Sequence, residues 1–198
     1  MARTRARDYD EKRGAILGAA ARVFAEHGYD RTPMSVLASE CNVSKALLYH
    51  YYNSKEALLF DMLDAHLTEL VEAVERADLP DLAPQDRLEA LVVALLDAYR
   101  DADAEHKVQL SALRTLPDAD QEKLFALERR LVDIFAEAIR AVNPTAFEGK
   151  LLLKPVTMSL FGMLNWFYMW FRDNGPVSRE EYARLATHIL VSGVSTLR

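Results

Sequence analysis

The chain has 198 residues, a formal net charge of −6, 51% hydrophobic residues and only seven glycines and seven prolines. Such a length and apolar content support a real core and exclude a disordered, collagen-like or disulfide-scaffold protein. The single cysteine, Cys41, excludes an internal disulfide and fits a reducing cytoplasmic setting.

Alanine and leucine dominate with little β-branched enrichment, so the expected fold class is all-α. The start, MARTRARDYDEKR, is charged but has no apolar run, so no signal peptide is expected. Charge is unevenly spread. Residues 1–55 carry nine Lys/Arg against six Asp/Glu, a net +3, which leaves −9 on the remainder. A basic head on an acidic body points to a DNA-binding domain over 1–55 and a control domain over 56–198.

In chain order, residues 1–9 read as a polar, flexible tail. Its Arg3, Arg5 and Arg7 either meet phosphates and the minor groove or stay solvated. A first helix is predicted from about Asp10 to His27, with Ile16, Leu17, Ala20, Val23 and Phe24 as its apolar stripe and Gly28 as its stop. A second helix would be capped by Thr32, with Pro33 at its first position and Val36, Leu37 and Cys41 on one face. Asn42 and Val43 break it, and Ser44 caps a third helix. Leu48 turns inward with Val43. Lys45, Ala46, Leu47, Tyr49, His50 and Tyr51 are left on the outer faces of barely two turns. Such a helix can enter a major groove and meet base edges, while its tyrosine hydroxyls and lysine reach phosphates. Tyr52 reads as a packing residue. Asn53 or Ser54 starts the next helix, and Asn53 with Glu56 has the spacing of a capping box. Lys55 in its first turn opposes the helix dipole, which a neighbouring phosphate would offset.

The fourth helix, about Ser54 to Arg76, carries a continuous apolar seam from Leu58 to Val74. At about 30 Å it is long enough to join head and body as a lever. His66 on it reads as a packing or surface residue. Asp78–Asp86 is the clearest linker. Helices follow over Leu88–Tyr99 and about Ala104–Leu116. A third of this group is expected from Asp118, capped by Asp118 with Gln121, to Asn143-Pro144. Residues 151–171, LLLKPVTMSLFGMLNWFYMWF, are the most apolar stretch. Lys154, Pro155 and Asn165 interrupt it, so a buried helix is expected there and not a membrane span. Asn174-Gly175-Pro176 makes a turn. Ser178 and Glu181 cap a last helix whose inner face is expected to be Tyr182, Leu185, Ile189, Leu190 and Val194.

Gly28-Tyr29, Thr32, Val36-Leu37-Ala38, Val43-Ser44, Leu48-Tyr49-His50-Tyr51-Tyr52 and Lys55-Glu56-Ala57-Leu58-Leu59 closely resemble the DNA-binding domain of the TetR family of transcriptional repressors. The match runs from about Arg13 to Leu63. Asn42 stands where the family usually has glycine, and asparagine tolerates the positive φ needed there. The resemblance implies an N-terminal three-helix helix-turn-helix domain and a C-terminal helical ligand-binding and dimerisation domain. It implies double-stranded operator DNA as a partner, with Thr32, Ser35, Ser44, Lys45, Ala46, Leu47, Tyr49, His50, Tyr51 and Lys55 as contacts. It also implies a homodimer through the last two helices, which suits the two-fold symmetry of a palindromic operator.

The run Phe161-Gly162-Met163-Leu164-Asn165-Trp166, with Trp170 four residues on, looks like regulators of acyl-CoA or aromatic-acid breakdown. An acyl-CoA thioester is the expected small-molecule effector. Met158, Phe161, Trp166, Met169 and Trp170 would offer apolar walls, Asn165 one hydrogen bond, and Arg114, Arg129 or Arg172 a contact to an anionic group, with Tyr99 also expected at the pocket. Taken singly, each of the apolar residues fits an ordinary core and Arg114 a solvated surface. No Gly-rich phosphate loop, Cys/His metal spacing or H-E-x-x-H is present, so neither an enzyme nor a cofactor is expected. The competing readings are a dimeric helical adaptor, which would need the Lys45–Lys55 face covered, and an enzyme using a C-terminal pocket.

Overall fold

The computed structural model describes residues 2–149 and 151–197. Among these the chain is helical throughout: α1 Ala2–His27, α2 Met34–Glu40, α3 Lys45–Tyr51, α4 Lys55–Ala77, α5 Pro84–Ala98, α6 Asp103–Ala112, α7 Asp118–Val142, α8 Pro144–Phe147, α9 Leu153–Asn165, α10 Phe167–Trp170 and α11 Arg179–Thr196. No helix among the described residues is long and apolar enough to cross a membrane. The chain forms two compact units. One holds the residues up to Thr68 with Asp101–Phe125; the other holds Glu69–Arg100 and the chain from Ala126 onward.

In the first unit, Ile16, Ala20 and Phe24 of α1, Leu37 of α2, Leu48 of α3 and Leu58, Leu59, Met62 and Leu63 of α4 form the core. α6 packs against α1 and adds Val108 and Ala112. α1 begins at Ala2 and not at Asp10: the segment expected to be a flexible tail continues the helix. It contains no glycine or proline, and Arg7 pairs with Glu11 one turn on. Gly28, at φ 83°, ends α1 as expected, its N–H bonded to the Phe24 carbonyl at 2.9 Å. Asn42 turns the chain between α2 and α3 at φ 53°.

Two cap assignments change. Pro33 occupies the α2 cap without a side-chain bond, because the Thr32 hydroxyl donates back to the Gly28 carbonyl at 2.8 Å. Of the two starts the sequence offers for α4, Ser54 is the one that caps it, accepting from the Ala57 N–H at 3.1 Å, so the Asn53/Glu56 box gives way to it. Ser44 caps α3 as expected, accepting from the Leu47 N–H at 3.1 Å.

A polar clasp joins three helices of this unit. Arg13 on α1 donates twice to Asp61 on α4, with Nε at 2.9 Å, and the Tyr52 hydroxyl at the end of α3 donates to the same carboxylate. The hydrogen bond to Asp61 raises the Arg13 pKa. Burial first, and then the Asp61 bond, raise that of Tyr52.

His66 of α4 and His106 of α6 are both buried in this unit. Burial, reinforced by His106, lowers the His66 pKa to about 4.

In the second unit, Leu88, Leu91, Val92, Leu95 and Leu96 of α5 pack on Ala183, Ala186 and Leu190 of α11. Leu131, Phe135 and Ile139 of α7 and Leu160, Phe161 and Leu164 of α9 complete this core, with the Phe135 and Phe161 rings 5.2 Å apart. Pro84 begins α5, where its missing N–H costs nothing. Gln121 does not join Asp118 in a cap; in the first unit, its amide donates to the Leu116 carbonyl at 2.8 Å. The apolar run 151–171 is two helices and not one, broken at Trp166, and the Tyr182 hydroxyl meets the Met163 carbonyl in the last turn of α9. Ser178 and Glu181 form the expected capping box of α11. The face of α11 is shifted from expectation: Ala183, Ala186, Thr187, Leu190, Val191 and Val194 are buried, while Leu185 and Ile189 are 50% and 53% exposed. The helical phase set by the small alanines against α5 turns both outward.

Asp61→Ala strands three donor groups, two of Arg13 and one of Tyr52, and is expected to lower stability by about 2 kcal/mol in urea unfolding. Asn42→Ala is expected to lose about 1 kcal/mol and Asn42→Gly much less, since only alanine resists positive φ. His66 is neutral in the fold and titrates near its usual value when unfolded. Its contribution is therefore complete above about pH 6.5 and lost as pH falls towards 4, about 3 kcal/mol in all. Urea midpoints measured across that window should fall in the native protein and fall less in His66→Leu.

Candidate nucleic-acid interface and effector region

α3 is only seven residues long and would not persist alone. Three devices hold it: the Ser44 cap at its start, buried Leu48 in its middle, and Tyr52 clasped to Asp61 at its end. What remains outward is the face expected from the sequence. Lys45, Ala46, Tyr49 and His50 are exposed, and Leu47 and Tyr51 are half-buried. The Lys45 ammonium lies 5.9 Å from the Tyr49 ring centroid. Ser35 is exposed on the first turn of α2.

Two of the residues named from the sequence are engaged within the protein. Thr32 is 1% exposed and its hydroxyl is taken by Gly28. The Lys55 ammonium bonds the Tyr29 carbonyl at 2.9 Å and lies 4.2 Å from the Tyr29 ring centroid, with the Asp30 carbonyl at 3.4 Å. It fastens the turn after α1 to the start of α4. Only the donor capacity left over from those carbonyls can reach a phosphate.

The sequence reading missed Asp61, Tyr29 and Tyr9. Asp61 was visible as a lone carboxylate inside the apolar seam Leu58–Leu63. Tyr29 carries no sequence signal beyond its place beside Gly28 in the motif. Tyr9 fell in the supposed tail, yet its ring stacks on Tyr51 at 4.8 Å.

Among the residues expected to meet an effector, Tyr99 and Asn165 come together. The Tyr99 hydroxyl donates to the Asn165 side-chain oxygen at 2.8 Å. Burial, and after it the charge of Glu128, raises the Tyr99 pKa. Phe161 is buried in the core of the second unit beside Phe135. Met158, Trp166, Met169 and Trp170 instead open outward, at 47%, 62%, 49% and 46% exposure. Trp170 also packs edge-on against Phe167 and Tyr182. Arg114 belongs to the first unit, where its guanidinium lies over the Phe125 ring at 5.6 Å. The second unit also has a cleft of about 480 Å³ where Asp97 and Arg100 meet Asp173, Ser178 and Arg179. No group of three or more His, Cys, Asp or Glu side chains among the described residues is arranged to hold a metal.

Known proteins resemble this one over most of the chain. Residues 16–62 match the family described as bacterial regulatory proteins, tetR family, and residues 81–194 match the tetracyclin repressor-like C-terminal domain. The chain is 38% identical over 88 residues to the HTH-type transcriptional activator FasR of Mycolicibacterium smegmatis, which is 44% of this chain and 40% of FasR. A TetR-family regulator from Bordetella parapertussis superposes with a TM-score of 0.84 at 33% identity, over 90% of this chain and 93% of that one. AibR, solved in complex with isovaleryl coenzyme A and operator DNA, superposes with a TM-score of 0.78 at 27% identity, over 91% and 98%. The N-terminal helix-turn-helix falls within the first of these matches and most of the later helices within the second: the chain belongs to the TetR family of DNA-binding transcriptional regulators.

Proposed function

We propose that the protein is a ligand-responsive repressor that binds a palindromic operator as a homodimer in the cytoplasm, with residues 1–55 as the reading head and 56–198 as the control domain. The observation that carries this reading is the outward face of α3, where Lys45, Ala46, Tyr49 and His50 stand free on a helix fixed at both ends. The first turn of α3 meets base edges, and Lys45, Ser35, Ser44 and the tyrosine hydroxyls meet phosphates. Thr32 and Lys55 serve the same surface from behind by fixing the turn that precedes α2.

Dimerisation through the last helices is supported by Leu185 and Ile189, one turn apart and exposed on α11. Ser192, Gly193 and Thr196 follow on the exposed side and would let a partner helix approach closely. The outward Met158 and Trp166 offer further apolar area for a partner or an effector.

The effector is an acyl-CoA thioester. Two things support this: AibR's complex with isovaleryl coenzyme A, and the grouping of Tyr99, Asn165 and Phe161 within the second unit. Such a ligand relieves repression only if it binds better to the form whose heads are wrongly spaced for the operator. The fixed geometry of α3 and its lack of a cover among the described residues favour DNA over the adaptor reading. The buried His66 does not support an enzyme, since it lies in a helical core.

Three measurements test the proposal. Fluorescence anisotropy on DNA from upstream of the gene, in a salt series, should give specific binding that isovaleryl-CoA or phenylacetyl-CoA abolishes; specific binding indifferent to both would remove the effector class. Lys45→Ala should weaken binding to every duplex and lower the salt slope by about one, whereas changes at Ala46 or His50 should alter sequence preference. Ile189→Asp should convert a dimer to a monomer in sedimentation velocity and abolish operator binding; a dimer that persists would move the interface elsewhere.

A further inference from the structure

We infer that Tyr9 is a positioning residue for DNA recognition, acting by holding the Tyr51 ring in place; this rests on the reading of α3 as the recognition helix. Tyr51 is the last residue of a seven-residue helix, where the backbone frays most easily and helical geometry alone does not fix a side chain. Its ring is nonetheless held on three sides. Tyr9 stacks on it, with centroids 4.8 Å apart and planes at 21°. His50 meets it edge-on at 5.9 Å, and Tyr52 lies at 6.5 Å.

Tyr9 is placed to do this because of its spacing from Arg13. The two are four residues apart on α1 and so share a face. Arg13 reaches Asp61, which also holds Tyr52; Tyr9, one turn earlier, reaches Tyr51. One strip of α1 thus fixes two consecutive residues at the end of the reading helix. Tyr9 itself is 45% exposed, so burial gives it little structural reason to be aromatic. The contact exists because α1 continues to Ala2 in place of a tail. The Tyr9 hydroxyl has no part in the stack, so phenylalanine should serve equally well.

The test is operator affinity of the full-length chain, on a duplex selected from a random pool, for Tyr9→Ala, Tyr9→Phe, Tyr51→Ala and the double variant Tyr9→Ala/Tyr51→Ala. Tyr9→Ala should weaken specific binding about threefold to tenfold, as expected for losing one aromatic pair. Tyr9→Phe should bind as the native protein does. In the Tyr51→Ala background, Tyr9→Ala should have no further effect, because the ring it holds is gone. Melting temperatures separate this role from a general loss of folding: a fall in Tyr9→Ala that tracks its affinity loss would overturn the inference. So would equal losses in Tyr9→Phe and Tyr9→Ala, which would make the hydroxyl itself the DNA contact, or fully additive losses in the double variant. If the native chain selects no duplex, the recognition reading fails and the inference fails with it.

Discussion

One carboxylate organises the reading head. Asp61 accepts from Arg13 of α1 and from Tyr52 at the end of α3 while standing on α4. A helix as short as α3 has no stability of its own, and a single buried leucine cannot fix its rotation. The clasp supplies directional bonds at the end that the Ser44 cap does not reach. Charge-assisted bonds suit this because they are stronger and more sharply oriented than apolar contacts. Asp61 is only partly sheltered, so its bonds to Arg13 offset a modest desolvation cost instead of the large one a fully buried pair would incur.

Much of this was legible in the sequence, for identifiable reasons. Gly28, Ser44 and the Ser178/Glu181 box are local signals, decided within four residues by backbone geometry and orphan N–H groups, and they stand where expected. Asn42 takes the left-handed conformation its position required. Long-range choices were not legible. Thr32 has the chemistry of a cap, but the Gly28 carbonyl one turn back competes for its hydroxyl and wins. Leu185 and Ile189 look like core residues by composition; only the packing of Ala183 and Ala186 against α5 decides that they face outward. The start of α1 is helical despite its charge, because Ala and Arg are good helix formers and charge alone does not impose disorder. Nothing local in residues 101–125 announces that they join the first unit; the contact of α6 with α1 does.

The candidate site divides in the same way. The outward residues of α3 follow from helical phase once Leu48 is known to point inward. Whether an outward residue is free for DNA is a different question, settled by what else reaches it. Lys55 has two carbonyls and a ring at its ammonium, and among the described residues Lys45 meets a tyrosine face. Both lysines look alike in the sequence, yet the electrostatic work open to each differs.

In the second unit the informative pair is Tyr99 with Asn165. The Tyr99 phenol is buried and Asn165 half-buried, and the bond between them offsets part of the cost of sheltering two polar groups. Under the proposed effector reading, that bond also sets what a ligand would have to do. A thioester carbonyl is an acceptor, so it would compete with the Asn165 oxygen for the Tyr99 hydroxyl. A molecule that leaves the pair intact gains only apolar contact, from residues such as Met158 and Trp166 that already face outward. Selectivity for a thioester with a polar carbonyl over a plain hydrocarbon would therefore come from the cost of breaking and remaking this one bond, because apolar walls discriminate weakly between chains of similar size.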